Sequence, residues 1–206
     1  MDTFVSMKKY ESKFNGVLEV SMRKGRKVLD TENANYSYGA AQGVWNETLK
    51  SIDLGEVKSV LVFGLGGGSV LDILRNRFEF RNHVTCVEID PVVIKVAEKE
   101  FGIRKNKKLD IICSDAYDYV LETDTKFDLI IVDISIDYTI PEKILTEKFW
   151  KALVRLVNEE GMIAFNALNY GRKIAHIRNI IEKSGFNYRI RHKVNGTNSI
   201  VHAVRR

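Results

Sequence analysis

Proline and cysteine are scarce in this chain, with two of each among 206 residues. So little proline excludes a Pro-rich linker, and no internal repeat or low-complexity tract divides the sequence. The cysteines, Cys86 and Cys113, form no CxxC pair and no Cys/His cluster, so no metal site is indicated. Each lies in an apolar, β-branched segment, which predicts two buried, reduced thiols. The opening residues, MDTFVSMKKYESK, lack the apolar core of a signal peptide. Elsewhere the apolar runs are cut by glycine or charge well short of a membrane span. These absences together predict a cytoplasmic protein without membrane contact.

What is present suits a soluble globular chain with one domain of ordinary size, 45% hydrophobic and 29% charged. The formal net charge is +5, with basic clusters at Arg23–Lys27, Arg104–Lys108 and Arg205–Arg206. No zinc-finger or RNA-binding signature accompanies them, so the charge is read as solubility and not as a nucleic-acid footprint.

Hydrophobic patterning gives the element order. Residues 17–30 read as a hairpin around a basic turn holding Gly25. From about Tyr38, the side chains of Ala40, Val44, Trp45 and Leu49 share one helical face. Val60–Phe63 is a short continuous apolar run, as expected of a strand buried on both faces. Helix at Ser69–Arg75, strand at Val84–Ile89, helix at Pro91–Phe101 and strand at Leu109–Cys113 follow. A short helix over Ala116–Glu122, a strand over Phe127–Val132, a helix over Thr146–Val157 and a strand from Gly161 complete the alternation. Asp90 and Asp115 stand at helix N-cap positions, Asp90 with Pro91 behind it. Alternating strands and helices predict an α/β fold with a mostly parallel, doubly wound sheet. The ending differs: after a helix at Ile174–Lys183, two β-type runs flank Asn195-Gly196, a strong hairpin turn. A parallel sheet closed by an antiparallel hairpin is the arrangement of S-adenosylmethionine-type transferases.

The chemistry-bearing residues follow the strand ends. Gly64, Gly66, Gly67 and Gly68 lie between the first strand of the alternation and its helix, where glycine lets the backbone turn tightly against a ligand. The Lys-Ser/Thr ending of a nucleoside-triphosphate loop is missing. Some twenty residues on, Glu88 in VEID stands where a carboxylate accepts from ribose hydroxyls. Asp115 in CSDAYDY stands at the next strand end, beside Ala116, and either accepts adenine amino protons or caps its helix. Asp133 ends the fourth strand at the rim of the expected pocket, and Asp137 and Tyr138 follow on its loop.

In this order the segments resemble the spermidine synthases, the polyamine aminopropyltransferases. YESKFNGVLEV and KVLDTENANYSYG resemble that family's N-terminal strands and tyrosine segment. VLVFGLGGGSVLDIL, VEIDPVVIKVAEKEF, CSDAYDYV, FDLIIVDISID and IPEKILTEKFWKALVRLVNEEGMIAFNA follow in family order. The resemblance implies a reduced N-terminal β-region, residues 1–37, ahead of a Rossmann-like catalytic domain, residues 38–206. It implies aminopropyl transfer from decarboxylated S-adenosylmethionine to a diamine such as putrescine, in polyamine biosynthesis, without a metal. By resemblance, Asn15 touches the cofactor, Glu88 binds ribose, Asp115 binds adenine, and Tyr38 lines the amine site. Asp133 orients and deprotonates the amine, and Asp137 and Tyr138 fall on the substrate side. The family commonly forms dimers, and the exposed hairpin could mediate one.

The departures are specific. Gly67 replaces an aspartate that holds the aminopropyl end and repels the carboxylate of intact S-adenosylmethionine. The segment after Asp133 reads DISI in place of DSSD, and Gly39 replaces a glutamine. Two alternatives therefore stand beside aminopropyl transfer. One is a methyltransferase using intact S-adenosylmethionine, although no NPPY or DPPY segment is present. The other is a non-catalytic nucleoside-binding module that regulates a partner.

Overall fold

The computed structural model describes residues 5–23, 25–31, 40–169, 174–196 and 198–206. Two sheets organise them. A three-stranded antiparallel meander contains β1 (Val5–Ser12), β2 (Gly16–Arg23) and β3 (Arg26–Asp30). The hairpin expected at residues 17–30 is β2–β3. A further strand, β1, whose last residues Tyr10–Ser12 open the YESKFNGVLEV segment, pairs with β2 at the edge.

The second sheet has seven strands. After α1 (Ala40–Leu49), β4 (Ser59–Phe63), α2 (Ser69–Asp72), β5 (His83–Glu88), α3 (Pro91–Phe101) and β6 (Leu109–Cys113) build one half. Then α4 (Ala116–Glu122), β7 (Phe127–Val132), α5 (Glu147–Arg155) and β8 (Val157–Asn166) build the other. Last come α6 (Ala175–Lys183), β9 (Phe186–Val194) and β10 (Asn198–Arg205). The strand order is β6-β5-β4-β7-β8-β10-β9. Strands β4 to β8 run parallel, and β10 is antiparallel to both its neighbours. The fold class is therefore α/β, with a mostly parallel sheet and an antiparallel C-terminal hairpin.

Side-chain alternation explains why the central strands read as unbroken apolar runs. Val60 and Val62 of β4 and Leu129 and Ile131 of β7 enter one core with Trp45 and Leu49 of α1. Leu61, Phe63, Ile130 and Val132 enter the opposite core with Phe149 and Trp150 of α5. Both faces are covered, so neither face of these strands carries a polar residue at its centre. Val44, Trp45 and Leu49 are all fully buried, as their helical spacing predicts.

Three local readings are corrected. The helix expected to Arg75 ends at Asp72 and continues as a wider π-type turn over Ile73–Arg77. Strand β8 begins before Gly161, at Val157, which pairs with Phe127, and an irregularity follows before Met162 meets Leu129. Cys86 is buried but Cys113 is exposed: it ends β6, the outer strand of the sheet, where no further strand covers it.

The small sheet is fastened to α3 at both ends of that helix. Leu18, Val20 and Leu29 pack on Val93 and Val96. Asp90, the N-cap of α3, accepts from Val92 N at 2.8 Å and Asn15 Nδ2 at 2.6 Å, and also from Ser12 Oγ. Near the other end, the buried Glu100 accepts from Lys8 Nζ at 2.6 Å and Tyr10 Oη at 2.7 Å, with Lys27 Nζ at 3.3 Å. No helix among the described residues is long and apolar enough to cross a membrane.

Candidate functional site

The sheet winds outward from β4 to β6 and then returns to β7 on the other side of β4. The crevice at the carboxyl ends of these strands is where such sheets bind ligands. A cavity of about 380 Å³ lies there. Asn15, Gly64, Gly66, Glu88, Asp115, Ala116, Asp133, Asp137 and Tyr138 all line it. Gly67 and Gly68 do not: both are buried in the turn behind the lining. Tyr38 lies outside the described residues, as does Gly39.

Two of the glycines have a steric reason. Gly64 has φ +93°, and a Cβ there would stand 2.2 Å from the backbone oxygen of Asp133. Gly68 has φ +80°, and its Cβ would overlap the end of Ile103. The first strand end can therefore meet the fourth closely enough to form a cavity floor.

Glu88 shapes this loop as well as lining the cavity. Its Oε2 accepts from Leu65 N at 2.9 Å and its Oε1 from Asp90 N at 3.0 Å. Burial pushes its carboxyl pKa up, against the pull of these backbone donors. Asp115 combines its two expected readings. Its Oδ1 caps α4 by accepting from Tyr117 N at 2.9 Å, while its Oδ2 forms an ion pair with Lys143 on the cavity wall.

Asp133 follows β7 directly. Its Oδ2 accepts from Trp45 Nε1 at 2.5 Å and its Oδ1 from Asn166 Nδ2 at 3.0 Å. Burial pushes its pKa up, opposed by those two donors. Asp137 sits at φ +52° in a tight turn closed by Ile136 and Thr139, and its Oδ1 accepts from Thr31 Oγ1 at 3.0 Å. Tyr138 at the turn tip is 67% exposed, so it forms rim and not wall. Phe14 and Ile136 share that rim.

Sequence reasoning did not assign Trp45, Lys143 or Asn166 to the site. Asn166 ends β8 and satisfies the same strand-end rule that selected Glu88 and Asp133. Trp45 gave the signal of a core residue, and Lys143 sits on a short 3-10 turn, Glu142–Leu145, without a distinguishing pattern.

Among the described lining residues, four carboxylates (Glu88, Asp115, Asp133 and Asp137) face one ammonium, Lys143. Such a cavity favours a cationic ligand. Its volume falls in the range of small-molecule sites, about 300–1,000 Å³. The described residues contain no group of three or more His, Cys, Asp or Glu able to hold a metal ion.

Known proteins resemble the chain in sequence and in fold. The curated relatives include the polyamine aminopropyltransferase of Methanocaldococcus jannaschii, 31% identical over 146 residues, covering 66% of this chain and 49% of that protein. They also include the eEF1A lysine and N-terminal methyltransferase homolog of Drosophila melanogaster, 30% identical over 118 residues, covering 53% of this chain and 17% of that protein. The aligned part thus spans about half, or less, of these relatives. Among solved structures, spermidine synthase from Thermotoga maritima superposes with a TM-score of 0.75 at 18% identity, covering 98% of this chain and 73% of that one. Human methyltransferase-like protein 13, solved with SAH, superposes with a TM-score of 0.62 at 23% identity, covering 81% and 79%. At such identities these two likenesses speak to the fold. The Spermine/spermidine synthase domain profile matches residues 48–191, most of the chain, and the protein therefore belongs to the spermine/spermidine synthase domain family.

Proposed function

We propose that this protein transfers an aminopropyl group from decarboxylated S-adenosylmethionine to a cationic amine such as putrescine. The observation that carries the reading is the carboxylate-rich cavity at the carboxyl ends of β4 to β7, with Asp133 in its lining. Glu88 and Asp115 stand at successive strand ends, where they would hold the ribose and adenine of the donor. Their carboxylates suit those hydroxyl and amino donors. The steric closeness of Gly64 to Asp133 leaves backbone where the nucleoside would lie.

When bound, the sulfonium supplies an electrophilic carbon. The acceptor arrives protonated, because an alkylamine has a pKa of about 10. Asp133 binds that ammonium, orients it and takes one proton, freeing the nitrogen lone pair. The new N–C bond forms as the C–S bond breaks, and the bonding pair stays on sulfur as the neutral thioether nucleoside. Asp137, on the same loop, offers a second carboxylate for the far ammonium of a diamine. The raised Asp133 pKa brings this base closer to neutral working pH.

A second reading is methyl transfer from intact S-adenosylmethionine to an amine. The resemblance supports it, since the family aspartate that repels the donor's carboxylate is replaced here by Gly67. The likeness to the fly methyltransferase homolog supports it too. Both readings use Asp133 in the same way. Incubation with each donor and a mixture of polyamines, followed by mass spectrometry, separates them. An aminopropyl adduct made from the decarboxylated donor is the expected result. A methyl adduct from the intact donor selects the second reading. Nucleoside binding without product from either donor overturns both in favour of a binding module.

A further inference from the structure

The chain has two tryptophans, and both are fully buried. A buried indole N–H needs an acceptor. Trp150 finds an ordinary one, the backbone oxygen of Ile144 at 2.9 Å. Trp45 instead donates to Oδ2 of Asp133, a side chain that lines the cavity, at 2.5 Å. This deepens the transferase reading above and rests on it: we infer that Trp45 is a positioning residue that, with Asn166, fixes the Asp133 carboxylate for the incoming amine.

The geometry supports a fixed carboxylate and not merely a satisfied indole. The two donors come from separate elements, Trp45 from α1 and Asn166 from the end of β8. Each takes a different oxygen, so the carboxylate cannot rotate without breaking one bond. The Asn166 amide is itself oriented. Its Oδ1 accepts from Asn198 Nδ2 at 3.0 Å and from Leu168 N at 3.2 Å, which leaves Nδ2 to face Asp133. Each carboxylate oxygen retains a second lone pair for substrate. Both donors favour the charged form, whereas burial favours the neutral one. The proton affinity of Asp133 is thus a balance that Trp45 holds on the basic side. Among the described residues, the other ionisable groups lining the cavity are Glu88 from β5, Asp115 before α4, Lys143 from the 3-10 turn, and Asp137 and Tyr138 from the loop after β7.

The test combines a spectroscopic and a kinetic readout. In a ¹H–¹⁵N spectrum, the two indole N–H peaks should respond differently. Asp133→Ala should move the Trp45 peak and leave that of Trp150 in place. In the unmodified protein, lowering pH should shift the Trp45 peak as Asp133 protonates, so this arm needs no variant to fold. In the transferase assay, Trp45→Phe removes the donor and keeps an aromatic ring. Loss of one charge-assisted bond should lower kcat about ten-fold and move the acid limb of the pH profile up by about one unit. The donor KM should stay unchanged. Trp150→Phe should leave that limb where it is. A Trp45 peak indifferent to both Asp133→Ala and pH, or an active Trp45→Phe with an unmoved limb, overturns the inference alone. Absence of product from either donor overturns the transferase reading and the inference with it.

Discussion

The backbone oxygen of Asp133 occupies the place a Cβ on Gly64 would need, 2.2 Å away. The glycine loop and the residue that carries the Asp133 carboxylate are thus one construction. The first parallel strand can end against the fourth because nothing projects from Gly64. The hydrogen bond from Asp133 N to Phe63 O at 2.9 Å holds the two strand ends in that register.

Gly64→Ala should therefore damage stability and ligand binding together. The substitution meets backbone, not a flexible side-chain end, and it also occupies a φ of +93°. The strain alone is about 1–3 kcal/mol. Thermal melting should show a fall of several degrees, and calorimetry with methylthioadenosine should show lost affinity. An alanine variant that melts and binds like the parent contradicts the close approach.

Asp133→Asn keeps the side-chain volume but removes the proton acceptor. We expect kcat to fall by about 10²–10⁴-fold, the usual contribution of a positioned general base. Nucleoside affinity should hold, since Glu88 and Asp115 are untouched. Equal losses in turnover and nucleoside binding would place Asp133 in the donor site instead.

How far the site was legible in the sequence follows from what each residue does. Glu88, Asp115 and Asp133 could be located because a continuous apolar strand ends abruptly in a carboxylate, a local signal. Trp45 could not, because its helical face reports burial, and burial is real. Its hydrogen bond reaches 88 residues along the chain. Lys143 depends on the fold bringing a 3-10 turn over α4, which no period encodes. The parallel strands were visible through their unbroken runs, while hydrophobic patterning did not mark β1, only the end of which falls in the YESKFNGVLEV resemblance. As the edge strand among the described residues it carries lysines at positions such as Lys8 and Lys9, and it pairs there with β2 on one side.

Asp115 makes a prediction about base discrimination. If its carboxylate accepts from the adenine amino group, a hypoxanthine analogue presents an oxygen there instead. Binding should weaken by about 1–3 kcal/mol, because two acceptors would face each other. Competition between methylthioadenosine and methylthioinosine measures the difference. Asp115→Ala should remove the preference and, as an N-cap loss, cost about 1 kcal/mol of stability as well. Parent protein that binds both nucleosides equally leaves Asp115 as a cap and a partner of Lys143.

Acid should undock the small sheet before it reaches the rest of the fold. Lys8, then Tyr10 and Lys27, hold the Glu100 carboxyl down at a pKa of about 2. A depressed acid stabilises the folded form above its unfolded pKa, about 4.3. That contribution is lost as pH falls from there through the folded value. Hydrogen exchange of β2 and β3 amides should accordingly quicken as pH falls from about 5 towards 2, beyond the intrinsic pH dependence of exchange. Glu100→Gln should lose protection at neutral pH and show no further loss over that window. Tyr10 works in the opposite direction at the alkaline end. Burial first, and the Glu100 carboxylate next, push its hydroxyl up to about 12. A raised phenol contributes below its unfolded pKa of about 10 and loses that contribution as pH rises through the folded value. The sheet should thus be held most firmly between these limits. Identical acid profiles for Glu100→Gln and the parent would show that apolar contact of Leu18, Val20 and Leu29 with α3, and not the ion cluster, sets the docking.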